Sequence, residues 1–502
     1  MNITKKYDII EIMIQGPSEG NPFREQWIRG TFTGAQEKIT VNGFYDGGGV
    51  YIVRFMPSFE GEYSCTIETS FGETAEYTYE VGPADPDNHG PVRVANNFHF
   101  AYDDGTPHYS VGTTCYVWNL MSDDIIAKTF AELEKGYFNK IRFCIFPKHY
   151  CHNFREPRSY PYVGTPCDAS YVNVDNYFQY RGVLPGNEWD FDTFNPEHFR
   201  HIEGCIEKLG KLGIEADIIL FHPYDRWGFS CMSHEQDLYY LNYVLARYSA
   251  YHNVWWSLAN EFDLLPTKTI RDWEGIADFI VKNDPYKHLR SIHNCRYVYD
   301  HSRPWVTHVS FQQMGPGRSV ESGAELRTRY GKPVVFDEIQ YEGDVTENFG
   351  NISGEELTRR FWEAMIHGCY PGHGECYEDP DDIIWWSHGG ELKGTSPERI
   401  RFMKKILEET PGNGLMPLTG PFPRGVVVPE RLIDEEEDYF LYYYGLNRPK
   451  YVVYRTNPNK TYEAEVIDTW EMTVTKVGEF SGNFRIDLPG KEYMAVRLRR
   501  VS

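Results

Sequence analysis

Val254-Trp-Trp-Ser-Leu-Ala-Asn-Glu-Phe-Asp263 is an apolar run that ends in an amide followed directly by a carboxylate, Asn260 and Glu261. Its short length and its Val and Trp content read as a buried strand, and a buried strand has no packing reason to end in an amide and a charge. A second run, Pro333-Val-Val-Phe-Asp-Glu338, closes the same way. Two such strands in one parallel sheet deliver two glutamates to the same edge. Paired carboxylates there suggest glycoside hydrolysis, in which one carboxyl arrives protonated and the other faces the anomeric carbon as an anion.

Working outward from these two runs, strand-like segments alternate with amphipathic helices. The strands are expected at Tyr109 to Cys115, Lys140 to Phe146, Glu215 to Phe221, Val254 to Leu258, Leu289 to Ile292, Val306 to Phe311, Val334 to Phe336 and Cys369 to Glu375. The helices are expected near Asp123 to Lys135, Pro196 to Leu212, Gln236 to Ala250, Ile270 to Asn283, Ala324 to Tyr330, Gly354 to Ile366 and Pro397 to Glu409. Eight such steps make a (β/α)8 TIM barrel over residues 91–412. The fifth step is short for a crossover helix. Between Phe146 and Asn195 there is no helical period but many aromatics, which reads as a lid or pocket wall over the carboxyl-end face.

On either side the period falls to two. Ile9 to Ile14, Tyr51 to Phe55, Tyr63 to Ile67 and Tyr77 to Val81 predict an N-terminal β-sandwich over 1–90, closed by the Pro- and Gly-rich Gly82 to Pro91. After Pro421-Phe-Pro423, short strands predict a C-terminal β-sandwich over 413–502, with Glu435-Glu-Glu437 as a solvated turn.

Composition narrows the partners. Asp and Glu number 73 against 50 Lys and Arg, a net charge of −23, which disfavours nucleic acid and anionic membranes and suits a neutral or cationic substrate. Aromatics make up 16% of the chain, and Tyr and Trp rings suit sugar faces as well as cores. No hydrophobic segment resembles a signal peptide or a membrane span, so the expected setting is cytoplasmic. Ten scattered cysteines with no CxxC pair read as reduced thiols. His149-Tyr-Cys-His152 lacks the spacing of a metal site, and no cofactor motif is present.

Glu261 is the candidate acid/base, with Asn260 beside it to bond a sugar hydroxyl, and Glu338 is the candidate nucleophile. Leu258-Ala-Asn-Glu261 with Phe336-Asp-Glu338 resembles the clan of retaining (β/α)8 glycosidases that includes the cellulase-like family 5 enzymes. Within it the chain is most similar to the apiosidase-like group, once a domain of unknown function, on Val111-Gly-Thr-Thr-Cys-Tyr-Val-Trp118, Phe221-His-Pro223, Ser291-Ile-His-Asn294, Tyr370-Pro-Gly-His-Gly-Glu375 and Trp385-Trp-Ser-His-Gly-Gly390. The resemblance implies double displacement, with Glu338 attacking and Glu261 protonating the leaving oxygen. It also suggests Arg142 as support for the nucleophile, although its inward orientation is a question of strand parity.

His222, His293, Gln312, His373 and Glu375 lie at the same strand ends and are candidate substrate contacts, while Trp118, Trp385 and Trp386 are candidate sugar platforms or packing residues. The expected activity is exo-cleavage of short plant-derived or other neutral oligosaccharides. An endo-glycanase, a non-catalytic carbohydrate-binding protein and a metal-dependent hydrolase are the alternatives, and a homo-oligomer is left open.

Overall fold

The structure, a computed structural model, describes residues 2–265, 267–313, 320–417, 426–429 and 438–501. Pro421 to Pro423 and Glu435 to Glu437 lie outside the described residues.

Eight parallel strands form the central sheet: β1 (Gly112–Thr114), β2 (Lys140–Cys144), β3 (Glu215–Phe221), β4 (Val254–Ala259), β5 (Arg290–Ser291), β6 (Val309–Gln312), β7 (Val334–Glu338) and β8 (Tyr370–His373). They pair in the order β5-β4-β3-β2-β1-β8-β7-β6. The two ends of this ladder come together where Thr307 donates its amide to the Arg290 carbonyl at 2.9 Å, so the barrel is nearly closed. The expected helices are present as α1 (Asp123–Leu133), α2 (Pro196–Lys211), α3 (His234–Tyr248), α4 (Ile270–Asn283), α5 (Gly323–Tyr330), α6 (Gly354–Ile366) and α7 (Ser396–Glu408). Between β5 and β6 the described chain runs through turns and no helix, as the short fifth step anticipated.

Strand parity sets which side chains fill the barrel. Lys140 and Arg142 on β2 point inward; the Lys140 ammonium donates to Asp217 at 2.7 Å and to Asp337 at 2.9 Å, all three groups buried. Burying an unpaired charge is costly, and here the pairing joins β2, β3 and β7 inside the barrel.

The long connection after β2, which has no helical period, contains two strands. Tyr162–Thr165 and Glu188–Phe194 form an antiparallel hairpin, and Cys167, Ala169, Val172 and Leu184 make a small core under it. Glu188-Trp-Asp-Phe-Asp-Thr-Phe194 alternates polar and aromatic residues, the period-two signal that explains the strand.

The N-terminal strands make a five-stranded and a three-stranded sheet around one core that includes Phe32, Phe55 and Ile67. Asn2–Lys5 pairs in parallel with Thr74–Gly82, so this region is not wholly antiparallel. It docks on the barrel helices through Arg54, which donates to Glu203 at 2.7 Å, while Arg247 reaches the same carboxylate at 2.6 Å. The C-terminal strands form a six-stranded antiparallel sheet and a two-stranded one. Tyr443 from that sheet stacks on Trp362 of α6.

Candidate active site

The end of β4 is held on both sides: the Asn260 amide donates to the Phe221 carbonyl of β3 at 2.9 Å, and the Phe262 amide to the carbonyl of His293 beyond β5 at 2.9 Å. Between them Glu261 adopts a left-handed backbone, φ 49° and ψ 57°. This conformation is costly for a non-glycine residue and is kept where surrounding structure imposes it, often at functional sites. On β7 a register shift against β6 brings Gln312 opposite Glu338.

Both carboxyl groups are buried, yet their surroundings push them apart. Burial alone raises the proton affinity of Glu338, but His293 Nε2 at 3.3 Å, Arg142 Nη1 at 3.9 Å and the hydroxyl of Tyr116, which donates to Oε1, bring it down to about 2. Glu261 is pushed up to about 7, first by burial and then by the charge of Glu338. Its Oε2 accepts from the hydroxyl of Tyr224. One glutamate is therefore an anion at neutral pH while its neighbour still binds a proton near neutrality, the pairing that acid and nucleophile roles require.

The expected shell divides in two. Arg142 donates from Nη1 to Asn260 Oδ1 at 2.7 Å and from Nη2 to Ser257 Oγ at 3.2 Å, so its parity is inward. His293 is fixed by Ser310 Oγ at 3.0 Å from Nδ1, and the Gln312 amide lies 3.1 Å from its Nε2. With its nitrogen toward the carboxylate, the same amide donates to Glu261 Oε1 at 3.2 Å. Trp386 stands edge-to-face with Tyr116, with ring centroids 5.5 Å apart.

Five expected contacts sit elsewhere. A Cβ on Gly112 would meet Lys140 at 3.0 Å, so Gly112 faces the barrel interior and Thr113 faces away from it. His373 Nδ1 lies 2.9 Å from Thr113 Oγ1, and Trp385 Nε1 donates to the same hydroxyl at 2.9 Å. Both residues thus pack outside the barrel wall. Trp118 is 0% exposed and packs edge-on against Phe130 and Phe143.

Glu375 accepts the amides of Lys393 at 2.6 Å and Gly394 at 2.8 Å, anchoring the turn before α7; a Cβ on Gly394 would come within 2.5 Å of Glu342 and Glu375 oxygens, so a side chain there would displace these carboxylates. His222 lies buried with Nε2 3.4 Å from the Phe146 carbonyl, and no contact with either glutamate occurs among the described residues. His149 and His152 also part company, the first facing Tyr180 and the second Asp382 and Glu347.

Sequence reasoning passed over three contributors. Tyr116 and Tyr224 bind the two glutamates, and Lys148 opens the long connection after β2. The Lys148 ammonium is buried 3.2 Å from the Tyr116 ring centroid and 4.6 Å from those of Tyr224 and Trp386, with no carboxylate in ion-pair contact among the described residues. Burial lowers its proton affinity, to about 8. Tyr150 packs edge-on against Tyr224 and Trp386, so this connection walls one side of the site. Both tyrosines followed strand ends that were already in view, and Lys148 lay beside a motif weighed only for metal.

Asp263 organises the loop after β5. Its carboxylate accepts the amides of Cys295 and Arg296 at 2.7 Å and of Tyr297 at 2.9 Å, tying the loop after β5 to the turn that carries Glu261.

Residues 95–412 match the family model described as apiosidase-like, catalytic domain; residues 3–70 and 429–499 match two domains of unknown function, DUF5060 and DUF5605. Among solved structures, a candidate glycoside hydrolase from Bacteroides vulgatus is 35% identical over 100% of both chains, with a TM-score of 0.91. A family 5 glycoside hydrolase, also from Bacteroides vulgatus, shares the fold at 14% identity and TM-score 0.58, covering 83% of this chain and 95% of that one. No curated protein matches.

Proposed function

Since the chain belongs to the apiosidase-like family of glycoside hydrolases, we propose that it is a retaining O-glycosidase acting by double displacement. Glu338 attacks the anomeric carbon and forms a glycosyl-enzyme as the glycosidic bond breaks; Glu261 gives its proton to the departing oxygen. In the second half Glu261, now a base, takes a proton from water that attacks the same carbon and releases Glu338. The observation that carries this reading is the opposed environment of two buried neighbouring glutamates, one lowered to about 2 and one raised to about 7.

We further assign exo-action on short plant-derived or other neutral oligosaccharides. The wall of Lys148, Tyr150 and Trp386 favours a pocket closed at one end, and the acidic charge balance favours an uncharged sugar. The test is a panel of nitrophenyl pyranosides and furanosides of both anomers, with Glu261→Gln and Glu338→Gln as controls, followed by NMR of the first-formed anomer. Retention with both variants silenced is expected. Inversion, or undiminished activity of the Glu338 variant, would overturn the mechanism.

A further inference from the structure

We propose that the groove between the loops after β4 and β5 is the leaving-group subsite, and that Tyr297 is its platform for an uncharged ring, a second sugar. This rests on the acid/base reading of Glu261, because a general acid stands beside the oxygen it protonates and the leaving group must depart on that side.

Two residues of the groove's lining, Phe262 and Asp263, follow Glu261 directly in the chain. It encloses about 470 Å³, and Phe262, Asp263, Ile270, Tyr297, Val298 and Arg303 are among its lining residues. Tyr297 is 72% exposed, and Ile270 and Val298 beside it are also exposed. A contiguous apolar surface with an exposed flat ring is a recognition feature, whereas isolated exposed apolar residues are ordinary.

The ring is also placed. Asp263, two residues after Glu261, holds the amides of Cys295, Arg296 and Tyr297, so the loop that presents the tyrosine is tied to the turn that presents the acid. The Cys295 thiol itself interacts with the Glu261 carboxyl. Such bracing keeps a platform in register with a reacting bond without help from the ligand.

The charges around the groove define its guest. Arg303 is paired with Glu274 and Asp300 at 3.3 Å, Lys268 with Asp237 at 2.6 Å, and the Asp263 oxygens are taken by backbone amides. Each of these charges has a partner within the protein, so stacking and apolar contact remain as the means of recognition.

The experiment takes the glycone identified by the nitrophenyl panel and compares its methyl glycoside, an aryl glycoside and a disaccharide, using wild type, Tyr297→Ala and Tyr297→Phe. Loss of one aromatic contact is expected to raise KM for the disaccharide about 2- to 10-fold in Tyr297→Ala, with the methyl glycoside unchanged and Tyr297→Phe near wild type. A rise for the aryl glycoside alone would still place a ring on Tyr297 but assign it to an aromatic leaving group. Equal effects on all three substrates, or none, would overturn the subsite while leaving the hydrolase reading intact. Inactivity of wild type across the panel would instead bring down both. Tyr297→Phe, which keeps the ring, guards against misfolding of the alanine variant.

Discussion

Arg142 Nη1 lies 2.7 Å from Asn260 Oδ1, a charge-assisted contact that spans from β2 to the end of β4. The same guanidinium bonds Ser257 and stands 3.9 Å from Glu338, so one planar fork fixes the amide beside the acid and the anion of the nucleophile. A lysine offers the charge without the fork. Arg142→Lys is expected to lower kcat about 10- to 100-fold, the range for losing a hydrogen bond to a charged group, while the acidic limb of the pH profile stays low. Arg142→Met removes the charge that lowers Glu338, and its acidic limb should move up. Indistinguishable limbs in the two variants would refute the electrostatic part of this account.

The two glutamates set the pH range. Glu338 must be ionised, which its value of about 2 ensures; Glu261 must be protonated to act as acid, so kcat/KM should fall as pH rises through about 7. The Lys148 ammonium lowers the proton affinity of Glu261, and Glu338 raises it. Lys148→Met should therefore shift the alkaline limb to higher pH, and Glu338→Gln should lower the Glu261 value as read by carboxyl NMR titration. A limb unmoved by Lys148→Met would show that another group governs it.

The fold was legible because its signals are local and repeated: α2, α4 and α6 carry strong helical periods, and β3 and β4 are short, mostly apolar runs. The pairing of the two carboxyls was legible because each contradicts the strand it ends, as Glu261 and Glu338 do. Side-chain direction was not. His373 and Glu375 stand at the correct edge of β8, yet parity turns the first outside the wall and the second serves a turn nearly twenty residues later in the chain. Tyr116 and Lys148 were missed for the complementary reason, since a tyrosine or lysine near an apolar strand end carries no signal until the fold brings the first to Glu338 and the second onto the rings of Tyr116, Tyr224 and Trp386.

Tyr116 carries the contact to Glu338 that no pattern announced. Its hydroxyl donates to Glu338 Oε1 and lies 3.3 Å from Asn260 Oδ1. Tyr116→Phe keeps the ring that packs on Trp386 but withdraws the donor, so Glu338 should bind its proton more tightly and the acidic limb should rise. The loss is expected near 10-fold in kcat/KM, which reports the steps up to attack by Glu338 and departure of the leaving group. A fall in stability with kcat/KM and its pH profile unchanged would reassign Tyr116 to packing.

Glu375 separates a structural carboxylate from a catalytic one. Burial, and secondarily the neighbouring Glu342, raise it from near 4.5 to about 7, despite two amide donors that favour the anion. A carboxyl whose folded value exceeds its unfolded value contributes stability that is fully present below about 4.5 and is lost as pH rises through about 7, because the folded state holds a proton that the unfolded chain releases. Glu375→Gln cannot ionise, so the difference in unfolding free energy between wild type and variant should change across that window and level off on either side. The measurement is denaturant unfolding of both proteins from pH 4 to pH 8, with kcat/KM recorded on the folded enzymes. Unequal kcat/KM with no such pH-dependent difference would return Glu375 to the substrate site.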